Sequence, residues 1–265
     1  MKNYIRFFST FTFFVLIFFG TETFAQIQDL VTDRPDQTES ALVVPVNSLQ
    51  IETGFSFEKD KFKDDGIDIE NENLILASTL FRYGINDMFE FRLSGNYVIT
   101  KTKIAGVESE LQGLENFTLG AKISLWKDKE VITHLAVIVQ TTLPFGNREL
   151  RPDKFEPAVK LTVSQDFVND ISVGVNLGFE NDSGINKNAY TYTAVFGYEV
   201  NDRIGTYIEL YGFGINKFLP VHHIDGGITY LHKQNIQIDL SIGSRIFSEE
   251  KYWFGSLGFS IRLPQ

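Results

Sequence analysis

The stretch "MFEFRLSGNYVIT" (88–100) decides the fold. Phe89, Phe91, Leu93, Tyr97 and Ile99 share one parity, while Glu90, Arg92, Ser94, Asn96 and Thr100 occupy the other. A period of two marks a β-strand, whose successive side chains point to opposite faces. One face suits an apolar surrounding, and the other carries full charges.

The pattern extends in both directions. It recurs in "LENFTLGAKISLW" (114–126), "FEPAVKLTVSQDF" (155–167), "ISVGVNLGFE" (171–180), "YTYTAVFGYEV" (190–200) and "IQIDLSIGSRIF" (236–247). In "NLILASTLFRYG" (73–84) apolar residues stand at both parities, so the second strand has no assigned face. The periodicity predicts about twelve strands, near 48–58, 73–84, 88–100, 114–126, 130–143, 154–167, 170–180, 190–200, 203–213, 222–232, 235–246 and 252–263. Each reaches the ~9–11 residues that a tilted strand needs to cross a bilayer. An even count lets an antiparallel sheet close on itself.

Connection lengths alternate. "GIND" (84–87), "KDKE" (127–130), "VND" (168–170), "VND" (200–202) and "HKQN" (232–235) follow even strands as tight turns. Longer links, such as "KDKFKDDGIDIENE" (59–72), "KTKIAGVESELQG" (101–113) and "PFGNRELRPD" (144–153), follow odd strands; "SEEK" (248–251) is the short exception. Short periplasmic turns and long outer loops characterise outer-membrane barrels. Tyr83, Trp126, Phe167, Tyr190, Tyr198, Tyr230 and Trp253 stand near strand ends, where interfacial aromatic girdles form. A soluble sandwich or lipocalin-like barrel also alternates, but with its apolar face inward and fewer strands.

The N-terminus points to the same compartment. Lys2 and Arg6 precede "FFSTFTFFVLIFFG" (7–20), and "TFA" (23–25) offers small residues for cleavage, which reads as a signal peptide over 1–25. The apolar run is shorter than the ~20 residues of a spanning helix. The 265-residue chain has no Cys, so disulfides do not hold it, and its net charge of -10 argues against a nucleic-acid partner. The predicted organisation is a signal peptide (1–25), a polar N-terminal segment (26–47) and an all-β, closed antiparallel transmembrane barrel (48–265).

With the apolar face toward lipid, the opposite parity enters the lumen. Candidate solute-pathway residues are Arg82, Glu90, Arg92, Lys122, Lys160, Glu199, Tyr207, Glu209, Tyr211, Asp225, Asp239 and Arg245. Such charges either pair across strands and brace the interior or form a charged path that selects a solute. Tyr207, Tyr211 and Phe213 share the parity of Glu209, and Phe254 is inward on the last strand; a bulge at Gly212 and Gly214 would change that parity. His222, His223 and Asp225 open the tenth strand and raise the possibility of a hydrolase at the barrel rim. No nucleophile motif or third metal ligand accompanies them, so they read as a polar loop end. No catalytic residue, metal or cofactor is predicted.

The segment "LVTDRPDQTES" (30–40) lies between the signal peptide and the first strand. Asp33, Arg34, Pro35, Asp36 and Glu39 either trail into the periplasm or fold back as a plug against Arg82, Glu90, Arg92, Lys122 and Glu199. "TDRPDQTES" with "VPVNSLQIETGF", "LFRYGINDMFEFRL", "DGGITYL" and "IQIDLSIGSRI" resembles the outer-membrane barrels of the "meta-pathway of phenol degradation" family. The resemblance implies an outer-membrane channel or transporter taking up phenolic or other apolar small molecules. The chain ends "SIRLPQ" rather than in the aromatic residue common among bacterial barrels, although Phe259, Ile261 and Leu263 keep the outward parity for the barrel-assembly machinery. The expected partners are thus the bilayer, that machinery and a small solute. A non-conducting structural or surface-interaction barrel is the alternative.

Overall fold

The computed structural model describes residues 30–127, 133–167, 169–182, 187–215 and 220–263. The predicted signal peptide lies outside them, as do most of the 127–130 turn and parts of the links at 168–170, 181–189 and 214–221. The strands are β1 (Leu49–Asp64), β2 (Ile67–Gly84), β3 (Phe89–Ile104), β4 (Val107–Lys127), β5 (Thr133–Thr142) and β6 (Glu156–Phe167), then β7 (Ile171–Asp182), β8 (Lys187–Asn201), β9 (Ile204–Ile215), β10 (Val221–Lys233), β11 (Ile236–Ile246) and β12 (Lys251–Leu263). Each pairs antiparallel with its chain neighbours, and β1 meets β12 from Leu49↔Leu263 to Lys61↔Lys251. Closure leaves no sheet edge around the ring, the condition under which strands can cross hydrocarbon.

The faces settle which surrounding this barrel has. Phe89, Phe91 and Leu93 are exposed, while Glu90 and Arg92 between them are buried. Around the ring the exposed face carries Phe55, Val159, Leu177, Ile208, Leu210, Ile238, Leu240, Ile242 and Leu257. The largest fully buried side chains include Arg82, Lys122, Glu52, Glu90 and Glu209. This inversion of a soluble barrel is stable only with lipid outside and polar partners inside. The predicted girdle aromatics are all exposed: Tyr83, Trp126, Phe167, Tyr198 and Tyr230 near the ends where even strands finish, Tyr190 and Trp253 near the opposite ends.

Two local readings are corrected. The links 59–72 and 101–113 are largely strand, not loop. β1 and β2 stay paired out to Asp64↔Ile67, and β3 and β4 to Ile104↔Val107. Asp65 and Gly66 (φ 46° and 80°), like Ala105 and Gly106 (φ 49° and 88°), make two-residue turns with both residues left-handed, the geometry that matches hairpin twist. Their outward-parity residues form rows, Lys59↔Glu72↔Lys101↔Glu110 and Lys61↔Glu70↔Lys103↔Glu108. The second strand owes its apolar residues at both parities to a register shift between Ile75 and Thr79. Beyond it the outward parity changes, with Leu74 exposed on one side and Phe81 and Tyr83 on the other. In β9, by contrast, the suspected bulge is absent: Glu209, Tyr211 and Phe213 pair with Asp225, His223 and Val221 without a shift.

Candidate functional site

The barrel wall collects positive charge at one level of the lumen. Arg82 stands directly opposite Arg92, and Lys122 opposite Glu90. Facing like charges are unfavourable unless an acid lies between them. Part of the acid comes from the wall: Arg82 binds Glu90 at 2.8 Å and Glu52 at 2.9 Å, and Arg92 binds Glu90 at 2.9 Å. The rest comes from the N-terminal segment. The Asp33 carboxylate lies 2.6 Å from Arg92, 3.0 Å from Lys122 and 3.4 Å from Arg82. Glu39 bridges Arg92 at 3.2 Å and Lys160 at 3.0 Å. Asp33, Glu39, Glu52 and Glu90 thus balance Arg82, Arg92, Lys122 and Lys160. Burial alone would raise the Asp33 carboxyl, but the charges of Arg82, Lys122 and Arg92 hold it far below the usual carboxylate range.

Residues 30–47 form no strand beyond one bridge, Val46↔Gly84, so their backbone groups need other partners. Luminal side chains supply them. The amides of Asp33, Val44 and Gln37 donate to Glu52, Glu90 and Glu209, and those of Glu39 and Ala41 to Asn176 and Ser164. Arg82 donates to the Leu42 carbonyl, and Asn176 to that of Glu39. Thr38 meets Thr193 and donates to Glu209, while Gln237 donates to Thr32. A segment joined to β1–β4, β6–β9, β11 and β12 of a closed ring lies inside that ring.

Arg34 reaches the closing seam. Its guanidinium bonds Asp239 at 3.2 Å and Ser256 at 2.8 Å. Gly54 and Gly258, paired across β1 and β12, leave room for it: a Cβ on Gly54 would stand 2.5 Å from Arg34 Cζ. Pro35 is buried after a cis Arg34–Pro35 bond.

The β9–β10 side differs. Glu209 and Asp225 are directly paired, inward and 1% and 3% exposed. Asp36 comes near both; burial first, then the Glu209 carboxylate, pushes its carboxyl well above the usual range. Neither Asp225 oxygen meets a hydrogen-bond donor among the described residues. Outward of this pair lies an aromatic cluster. His223 stacks on Tyr211 (4.8 Å) and Phe213 (5.8 Å) and takes Tyr252 edge-on (5.2 Å). His223 and Asp225 are therefore inward-facing strand residues, each 3% exposed; Asp225 stands in the lumen as its parity predicted, while the pair is not a loop end. Continuous β9–β10 pairing, which the short "HHID" run did not reveal, carries them into the lumen.

The remaining candidates scatter. Tyr207 lies opposite Gly227, where its ring occupies space that a side chain would fill. Arg245 sits higher, held by Asp60 at 3.2 Å and Glu250 at 2.5 Å and lying over the Tyr252 ring. Glu199 is exposed near the C-terminal end of β8. The sequence reading placed Glu52 on the inward face but singled out none of the neutral Thr38, Ser164, Asn176, Thr193 and Ser256. Inward parity was the signal available for those on the wall.

No curated protein matches the chain. Among solved structures it is similar to an outer membrane channel from Pseudomonas putida F1, with TM-score 0.64, 11% identity, and 84% of this chain and 97% of that one covered. It is also similar to the translocator domain of the autotransporter NalP from Neisseria meningitidis, with TM-score 0.53, 7% identity, and coverage of 81% and 88%. At these identities the likeness is one of fold, that of outer-membrane β-barrels. Residues 32–263 match a family profile over nearly the whole barrel and the segment inside it, and the chain belongs to the family described as "Putative MetA-pathway of phenol degradation".

Proposed function

We propose that this protein is an outer-membrane channel for a small solute, exported by a cleaved signal over residues 1–25, with residues 30–47 acting as a plug in its lumen. The observation that carries the reading is the inverted barrel: an apolar exterior around a buried, charged interior. Strand number supports a limited bore, since ~8 strands enclose a filled interior and ~16 an aqueous channel. Membership of a family described by phenol degradation, with the cluster of Tyr211, Phe213, His223 and Tyr252 facing the lumen, favours an aromatic or apolar solute. The exposed Phe259 and Leu263 of the last strand support handling by the barrel-assembly machinery. No catalytic step is assigned to any residue.

The plug rests on the contacts of Asp33, Arg34 and Glu39, which cross the lumen to Arg92, Asp239 and Lys160. The same density of contacts favours the second reading, a permanently closed structural barrel. Single-channel recording in planar bilayers separates them. Deleting residues 30–40 is expected to raise conductance above that of the intact barrel. Unchanged conductance removes the plug role, and the absence of current and solute flux from both forms removes the channel.

A further inference from the structure

The wall holds the plug in two chemically different ways. On β6–β8 it uses neutral side chains: Ser164 accepts from the Ala41 amide, Asn176 accepts from the Glu39 amide and donates to its carbonyl, and Thr193 meets the Thr38 hydroxyl. On β2–β4 it uses Arg82, Arg92 and Lys122, none more than 4% exposed. The wall's own acids do not balance these bases. Arg82 and Arg92 stand directly opposite each other, and Glu52 and Glu90 form ion pairs with these two alone.

Lys122 shows what the arrangement is for. Among the described residues all its hydrogen bonds go to the plug, at 3.1 and 3.0 Å to the two Asp33 oxygens and 3.4 Å to the Leu42 carbonyl, and Asp33 is its one ion-pair partner. Without the plug, Arg82, Arg92, Lys122 and Lys160 face only Glu52 and Glu90. Holding a plug does not require this, since β6–β8 do so with neutral groups. Buried bases facing one another are stable only with an anion between them. In the docked state that anion is a carboxylate gripped through both oxygens, with Oδ2 also 2.6 Å from Arg92 and 3.4 Å from Arg82. Charged donors converging on both oxygens of a planar carboxylate make a strong and specific grip.

We infer that Arg82, Arg92 and Lys122 form the recognition site for a carboxylate on the transported solute, and that Asp33 occupies it as an internal stand-in. The solute class is then a small organic acid, whose apolar or aromatic body accords with the rings of Tyr211, Phe213, His223 and Tyr252 in the same lumen. Recognition is local, made by groups within 3.4 Å of the carboxylate, and does not depend on the net charge of the lumen. Asp33 and the solute exclude each other at these bases. The plug is therefore an autoinhibitory contact that the solute weakens by competition.

The inference rests on the channel reading, and a test that needs no current keeps the two apart. In full-length Asp33→Ala the bases lose their anion but keep its space. Hydrogen exchange of the amides of residues 30–47 in this variant is expected to be several-fold slower in sodium acetate than in sodium chloride of equal ionic strength. Adding Lys122→Gln is expected to abolish that difference. In the wild type the sign reverses: sodium benzoate, competing with Asp33, is expected to speed exchange several-fold over chloride, while uncharged benzyl alcohol leaves it unchanged. This second arm decides the matter if Asp33→Ala does not fold. No acetate effect in the folded variant, or, where it does not fold, equal wild-type rates in benzoate and chloride, overturns the inference and leaves the channel standing. Both carboxylate effects in a barrel that passes no current in a planar bilayer remove the channel and leave the site.

Discussion

Two sets of ion pairs in this molecule use the same residue types and have opposite surroundings. On the outer hairpins Lys59 meets Glu70 and Glu72 at 2.5 Å, Lys61 meets Glu70 at 2.8 Å, and Lys63 meets Asp68 at 3.3 Å. In the lumen Asp33 meets Arg92 and Lys122 at 2.6 and 3.0 Å. The distances barely differ. The hairpin pairs stand in water, which screens them, and losing a partner returns the other to solvent. The luminal groups are almost wholly buried, so each removal leaves its partners charged and uncompensated. Ion-pair geometry therefore says little about importance until burial is known.

The largest test of that contrast is Asp33→Ala. Removing one partner of a buried charge group costs about 3–5 kcal/mol, and here it would be drawn from docking of residues 30–47. Hydrogen exchange of those amides is expected to lose its protection while the strands keep theirs. Unchanged protection would place the Asp33 cluster alongside the hairpin pairs in energetic weight. Gly258→Val follows in size: its side chain would enter the space of Arg34, at an overpacking cost of about 1–3 kcal/mol. Loss of the Arg34 contacts to Asp239 and Ser256 is measured by protease sensitivity near residue 34.

A pH series sharpens the comparison within the plug. Asp36 binds a proton more readily docked than free, so docking is expected to be tighter near pH ~5 than near pH ~8. Asp33 is held ionised, and its contribution is present above the ordinary aspartate value of ~3.9 and lost as pH falls below it. Exchange rates corrected for intrinsic chemistry should show protection rising from alkaline to mildly acidic solution and declining below pH ~4. The smallest effect is expected for Glu70→Gln on the hairpin. Its thermal transition should match wild type within error, and a large downward shift would show the hairpin rows to be structural.

Most of the barrel was legible from alternation. Strand number, order and the outward face of "MFEFRLSGNYVIT" follow from a period of two interrupted at regular turns. The outer halves of β1–β4 were not, because Lys and Glu there alternate with Asn, Thr and Asp, leaving no apolar stripe to mark the strand. "DG" at 65–66 was the available hairpin signal, and it lay within a run that looked like loop. The face of β2 was hidden by its register shift, which reverses parity within one apolar run. For the lumen, sequence parity named the charges but not their sharing. That Arg82 faces Arg92 is a matter of strand register, and that Asp33 lies between them depends on a segment with no periodicity. Parity put Asp225 in the lumen, but the pair with His223 read as a loop end because four residues carry too little pattern to distinguish a strand start from a loop.

The position of Arg34 sets an order of events. Its pocket draws Gly54 from β1, Asp239 from β11 and Ser256 and Gly258 from β12, so the pocket does not exist until the last strand has zipped onto the first. Residues 30–47 precede every strand in the chain, yet they can take their final place only after β1 and β12 are joined. A docked Arg34 is in that sense a seal on a finished ring, and a barrel arrested before closure would leave residues 30–47 without their place in it.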